Sequence, residues 1–222
     1  MSWWNRLRRG KLDEGNKREL QVRLALPGWH YEAVQDGMWC WRDAQGDFIS
    51  LVIQSLGVSQ LSDEVALQHF SRTLAESRGG GLIEAHASTG PLGPTVAVIY
   101  KRLLMPAYVY TGMLIAPHAE PPQVWTIVAE EHGTTGVREA IITSELFNAG
   151  HMTIADYEQS WAKDPYDSEY HGVDRSVLRF VSDDESYDER FPDHPLTKVR
   201  QVLAALPTAI ESSNTEEEAR NS

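Results

Sequence analysis

The chain has 222 residues, 41% of them hydrophobic, with seven tryptophans, eight tyrosines and a formal charge of −12. So much apolar material supports a buried core. The acidic balance argues against a nucleic-acid binder, which needs a basic surface to neutralise phosphates.

Met1 to Arg18 runs against the whole: six basic residues stand against two acidic ones. Trp3, Trp4 and Leu7 can line one side of a short helix beside Arg6, Arg8 and Arg9. That composition suits a weak membrane-surface or partner contact, or a tail whose tryptophans pack on the domain. No apolar signal core follows, and no run reaches the ~20 apolar residues of a membrane span. A cytoplasmic protein is expected. The single cysteine, Cys40, cannot form an intrachain disulfide and reads as an inert apolar thiol.

"ELQVRLAL" predicts a strand ending at Pro27 and Gly28. "DGMWCWRDAQGDFISLVIQSL" predicts a hairpin with arms Met38 to Arg42 and Phe48 to Ser55. In its first arm Trp39 and Trp41 share a face and Cys40 takes the other, so the tryptophans form core or a groove for an apolar partner. "SDEVALQHFSRTLAESRGGG" predicts a helix capped by Ser62, with Leu67, Phe70 and Leu74 on one face, stopped by Gly79 to Gly81. Four strands follow: Leu82 to Ala87, Thr95 to Arg102, Tyr108 to Ala116 and Val124 to Glu130. Their short separations favour antiparallel pairing.

"EEHGTTGVREAIITSEL" then predicts a strand-to-helix turn. Neither GxxxxGK[ST] nor GxGxxG is present. Helix amides, Thr134, Thr135, His132 and Arg138 could hold a small anion, but Glu130, Glu131 and Glu139 would repel one. The plainer expectation is that Gly133 turns the chain, Thr134 or Thr135 caps the helix and Gly136 lets it lie close to a strand. "TIADYEQSWAKD" predicts a helix opened by a Thr153/Asp156 capping box. "HPLTKVRQVLAALP" predicts a helix with Pro195 in its first turn and a stripe of Leu196, Val199, Leu203 and Leu206.

Between the last two helices, Asp156 to Asp193 holds twelve carboxylates against four basic residues, with Tyr157, Trp161, Tyr166 and four further aromatics interleaved. Either the aromatics pin this stretch to the core, with Val177, Leu178 and Phe180 inward and Asp174 paired to Arg175, or it is a binding arm steering a basic partner. Asp164, Asp167, His171 and Asp174 lie close in sequence, but they do not match an EF-hand loop, and no zinc spacing occurs. A solvated acidic loop is the better reading, so no metal is expected. No GxSxG elbow marks a nucleophile, and no catalytic residue or cofactor is assigned.

The fold class expected is α+β, an antiparallel sheet covered by helices, with extra helices at the C-terminal end. One domain, 19–210, lies between the basic tail 1–18 and an acidic tail, 211–222. "LALPGWHYE", "GDFISLVIQS", "LSDEVALQHF" and "VWTIVAEEHGTTGVREA", in this order over residues 20–148, resemble the PsbP-like fold. That fold includes DcrB-type bacterial domains and Eag-type effector chaperones. The resemblance implies an α/β/α sandwich and a binding or chaperone-like role, with a protein or peptide partner and no reaction. Trp39, Trp41, Tyr108 and Tyr110 on the sheet face are the expected contacts, with Trp161 and Tyr166 on the acidic stretch. The rival readings are an enzyme or anion binder at the 132–138 turn, and a peripheral membrane protein anchored by residues 1–11.

Overall fold

The structure, a computed structural model, describes residues 22–35, 37–54 and 63–212. Seven antiparallel strands form the central sheet: β2 (His30–Gln35), β3 (Met38–Arg42), β4 (Phe48–Ile53), β5 (Gly81–Gly90), β6 (Gly93–Leu104), β7 (Ala107–Ala116) and β8 (Gln123–Glu130). Their spatial order is β2-β3-β4-β8-β7-β6-β5. Each of β5 to β8 pairs with its sequence neighbour, as the short turns require. The one jump brings β8 back beside β4, pairing Phe48 with Val128 and Leu51 with Trp125. The expected α+β class is what the chain adopts. The sequence reading missed β2, whose "HYEAVQ" mixes charge with aromatics and carries a bulge between Tyr31 and Ala33.

Alternation along the strands sorts side chains to two faces. Ala97, Ile99, Tyr110, Leu114, Trp125 and Ile127 face one way, packing with Leu196, Val199, Leu203 and Leu206 of α4 (Pro195–Ala209). Val96, Val98, Tyr100, Met113 and Ile115 face the other, packing with Leu67 and Ala75 of α1 (Glu64–Ser77). The N-cap of α1 is Asp63, whose carboxylate accepts the Val65 and Ala66 amides. The Ser62 predicted to cap it lies outside the described residues.

Two small pairs finish the frame. β1 (Val22–Leu24) pairs with β11 (Ile210–Ser212), so Glu211 and Ser212, expected in a tail, extend the domain. β9 (Ala162–Lys163) pairs with β10 (Arg179–Phe180) inside the acidic stretch. That stretch is packed. With Ile142 of α2 (Val137–Asn148) and Met152 just before α3 (Ile154–Ser160), its Trp161, Ala162, Leu178 and Phe180 build a third cluster. The predicted Thr153/Asp156 capping box opens α3. Val177, Leu178 and Phe180 point inward as expected. Asp174 instead accepts the Ser176 amide, and Arg175 donates to the Tyr157 carbonyl.

Three carboxylates of this stretch, Asp164, Asp183 and Asp188, pair with cations of the sheet and helices. Lys101 on β6 and Asp183 are both fully buried and meet at 2.6 Å. Asp183 also accepts the Phe180 amide at 2.7 Å, and the Lys101 ammonium lies 3.1 Å from the Phe180 ring centroid. Burial pulls the Lys101 pKa below the usual lysine value, against the opposing pull of Asp183. Arg72 on α1 grips Asp164 through two hydrogen bonds of 3.0 and 2.7 Å. Arg200 on α4 reaches Glu84, Asp188 and the Asp183 carbonyl. Among the described residues no helix is long and apolar enough to cross a membrane.

Gly112 of β7 sets the distance of α4 from the sheet. A Cβ there would stand 2.6 Å from Val199 Cγ1 and 2.8 Å from Leu203 Cδ1. Gly112→Ala should therefore cost about 1–3 kcal/mol by overpacking, read as a lower midpoint in urea with unchanged slope. A neutral or stabilising result would show that α4 yields without strain.

Candidate functional site

Strand β8 ends at Glu130, and Glu131 continues the ladder by other means. Its amide donates to the Tyr108 carbonyl at 3.0 Å. Its carboxylate accepts the Tyr108 amide and the Gly136 amide, each at 3.1 Å. The helix N-terminus read as an anion site thus already faces an anion, supplied by the chain itself. Burial raises the Glu131 pKa, but the His194 side chain and these two amides outweigh it, so the carboxyl sits below its ordinary value.

The cap of α2 corrects the sequence reading. Neither Thr134 nor Thr135 caps it. The N-cap is Gly136, with φ 73° and no side-chain cap bond. A Cβ at Gly136 would meet only Glu139 Oε2, at 3.9 Å, so the glycine serves the left-handed backbone rather than a close strand contact.

Arg138, the expected anion donor, points inward and is 1% exposed. Its guanidinium donates to the Ser182 carbonyl at 2.6 Å, Asp188 at 2.9 Å, Thr197 Oγ1 at 3.2 Å and the Asp184 carbonyl at 2.9 Å. It ties α2 to the acidic stretch and to α4. His132 and Thr134 are exposed on a cleft of about 420 Å³ that Glu131, His194 and Lys198 also line. His132 Nε2 lies 3.8 Å from Asp47. The turn residues do meet in one cleft, but Arg138 has no donor directed at a guest, and Asp47, Glu130 and Glu131 add negative charge.

His194 also lines this cleft. It is the N-cap of α4, its Nδ1 accepting the Leu196 amide at 3.2 Å. That bond leaves the imidazole proton on Nε2, which points at Glu131 from 3.7 Å. Glu139, in the first turn of α2, joins them: ligand atoms of Glu131, Glu139 and His194 all lie within 4.8 Å of one another. Burial raises the pKa of Glu139. Sequence reading missed this trio because its members are far apart in the chain and match no local motif.

A second cleft, about 790 Å³, opens between α2 and α3. Its floor is Tyr108, Trp161 and Phe180, and its walls include Ala140, Tyr157 and Glu158. Tyr157 stacks on Trp161, and Trp161 on Phe180, with centroids 5.4 and 6.0 Å apart. Of the expected contact residues, Tyr108 and Trp161 meet here. The others do not form a contact face, because α4 covers it. Trp41 is buried against Trp125, Tyr110 is fully buried, and Trp39 packs against the same core. Tyr166 is spent on the edge strand, its hydroxyl donating to the Ala85 carbonyl and accepting the Ala85 amide. Asp164, Asp167 and Asp174 go to Arg72 and to local backbone amides, not to a common point. Trp3, Trp4, Arg6, Arg8 and Arg9 lie outside the described residues.

No protein-family model matches the chain, and no curated protein matches it. Two solved structures resemble it in shape. The Saccharomyces cerevisiae Ran-binding protein Mog1p is 12% identical over 87% of this chain and 91% of its own, with a TM-score of 0.42. A point mutant of protein Mog1 is 11% identical over 86% and 90%, with a TM-score of 0.40. Likeness at this level carries no argument about function.

Arg138→Ala should cost at least about 3 kcal/mol, because it strands four acceptors in the acidic stretch and α4, two of them in buried bonds. Chemical denaturation measures this, and a loss under 1 kcal/mol, on the same scale, would remove Arg138 as a tie. Lys198 on α4 bonds Asp43 and Asp47 in the β3–β4 turn. Burial raises Asp43, but Lys198 and local amides lower it further, so its contribution is present above the usual 3.8 and lost as pH falls through the lower folded value. Burial lowers Lys198, but Asp47 and Asp43 outweigh it, so its contribution is present below the usual 10.5 and lost as pH rises through the higher folded value. Lys198→Met should flatten the stability profile in both windows. An unchanged profile would show that these ions do not couple to folding.

Proposed function

We propose that this protein is a non-enzymatic protein- or peptide-binding module, adaptor- or chaperone-like. The observation that carries the reading is the open cleft between α2 and α3. Stacked aromatics floor it, and rigid aromatic surface is what interface anchors use. Val137 and Ile141 on α2, with Ile154 and Tyr157 on α3, expose further apolar surface on the same two helices. The net charge of −12 suits steering of a basic partner. The PsbP-like resemblance supports the same class, and a cytoplasmic location belongs to the proposal. The rival reading, chemistry or anion binding at the 132–138 turn, has the smaller cleft but lacks a free guanidinium.

Ala140 is exposed on the cleft wall, so Ala140→Trp should fill the cleft without disturbing the core. Native-cell capture with both proteins, followed by titration of the captured partner, tests the proposal. A partner bound by the parent protein and lost by at least about tenfold in the variant, a gap of about 1.4 kcal/mol, is expected. Identical capture by both, or background alone, would overturn it.

A further inference from the structure

We propose that Glu131, Glu139 and His194 form a binding site for one first-row divalent cation such as Zn²⁺ or Mn²⁺. Three observations carry this. The first is convergence: a carboxylate from the end of β8, one from the first turn of α2 and the N-cap imidazole of α4 bring ligand atoms within 4.8 Å of one another. The second is burial without partners. The His194 side chain is 9% exposed, its Nε2 is aimed at Glu131, and among the described residues that atom has no hydrogen-bond partner. Among the described residues, both carboxylate oxygens of Glu139 are likewise buried without a hydrogen-bond partner. Buried polar atoms of this kind call for an explanation, and a bound ion is one.

The third is charge. Around the trio, Lys101 is matched by Asp183, and Arg138 and Arg200 by Asp188 and Glu84. Among the described residues, Glu131 has only the His194 imidazole beside it as an ion partner, at 3.7 Å, and Glu139 has no hydrogen-bonded cation; a divalent cation balances the two carboxylates. Glu131 retains coordinating capacity, since each of its oxygens accepts one amide and has a second lone pair. Two carboxylates and one imidazole suit Zn²⁺ or Mn²⁺ better than Ca²⁺, which takes six to eight oxygens. Glu131 and His194 line the smaller cleft and Glu139 the larger, so the trio lies in the wall between the two.

Ligation has a specific local consequence. Nε2 must present its lone pair, so the imidazole proton moves to Nδ1, and the Leu196 amide loses its acceptor there. Cation binding therefore exchanges one helix-cap bond for one metal bond.

Full-length protein, stripped with a chelator, is titrated with Zn²⁺, Mn²⁺, Mg²⁺ and Ca²⁺ by equilibrium dialysis, beside Glu139→Gln and His194→Asn. Asparagine at 194 keeps an N-cap acceptor while removing the imidazole, and circular dichroism confirms that each variant folds. The expected result is one equivalent of Zn²⁺ or Mn²⁺ bound by the parent protein, with a higher Tm. Affinity should fall by about tenfold or more in each variant. In amide NMR spectra Mn²⁺ should broaden Tyr108, Gly136 and Leu196, and this readout decides the matter if a variant fails to fold. Absence of binding, unchanged affinity in both variants, or broadening centred on residues 164–174 would overturn the proposal.

Discussion

A lysine and an aspartate with no access to water tie the sheet to the stretch that follows α3. Lys101 belongs to the sheet and Asp183 to the irregular stretch after α3, and each is fully buried. Burying either alone would be strongly unfavourable. The irregular stretch must therefore lie where Asp183 reaches Lys101, and the Phe180 amide and ring complete the enclosure. Arg138 and Arg200 then reach the same short run from α2 and α4. A segment with little regular structure becomes the knot to which a strand and two helices are tied.

That knot also shapes the surface. With Asp183 anchored, Phe180 and Trp161 are set beside Tyr108 and floor the cleft between α2 and α3. With Arg138 drawn inward, the turn before α2 keeps its amides and hydroxyls but loses its cation. Glu131 takes the Gly136 amide that a phosphate would otherwise use. The acidic residues of the turn are thus part of its architecture, and the unpartnered acid beside them, Glu139, is where a guest ion is called for.

Much of the sheet was legible because its strands are long, apolar and separated by glycine and proline turns. α3 was legible from its capping box, and α1 and α4 from their apolar stripes, though α1 is capped by Asp63 rather than Ser62. β2 was not, since an edge strand facing solvent need not alternate. Trp39, Trp41 and Tyr110 showed that a sheet face was apolar, but not that α4 would lie on it. The acidic stretch was read two ways because its charges could equally have faced water. Arg72, Lys101, Arg138 and Arg200, distant in sequence, pair with Asp164, Asp183 and Asp188, while most of its other carboxylates stay exposed.

The sequence by itself determined the α+β class, the antiparallel run β5 to β8, the placement of α4's apolar stripe and the absence of a phosphate-loop signature. These depend on local periodicity, turn chemistry and motif spacing, which neighbouring residues carry. Tertiary structure alone decided that Arg138 is a structural tie, that the acidic stretch is packed, that Tyr108 and Trp161 share a cleft, and that Glu131, Glu139 and His194 converge. Each of those outcomes depends on charges and rings brought together from distant parts of the chain, and desolvation makes such groups choose partners by geometry rather than by sequence distance.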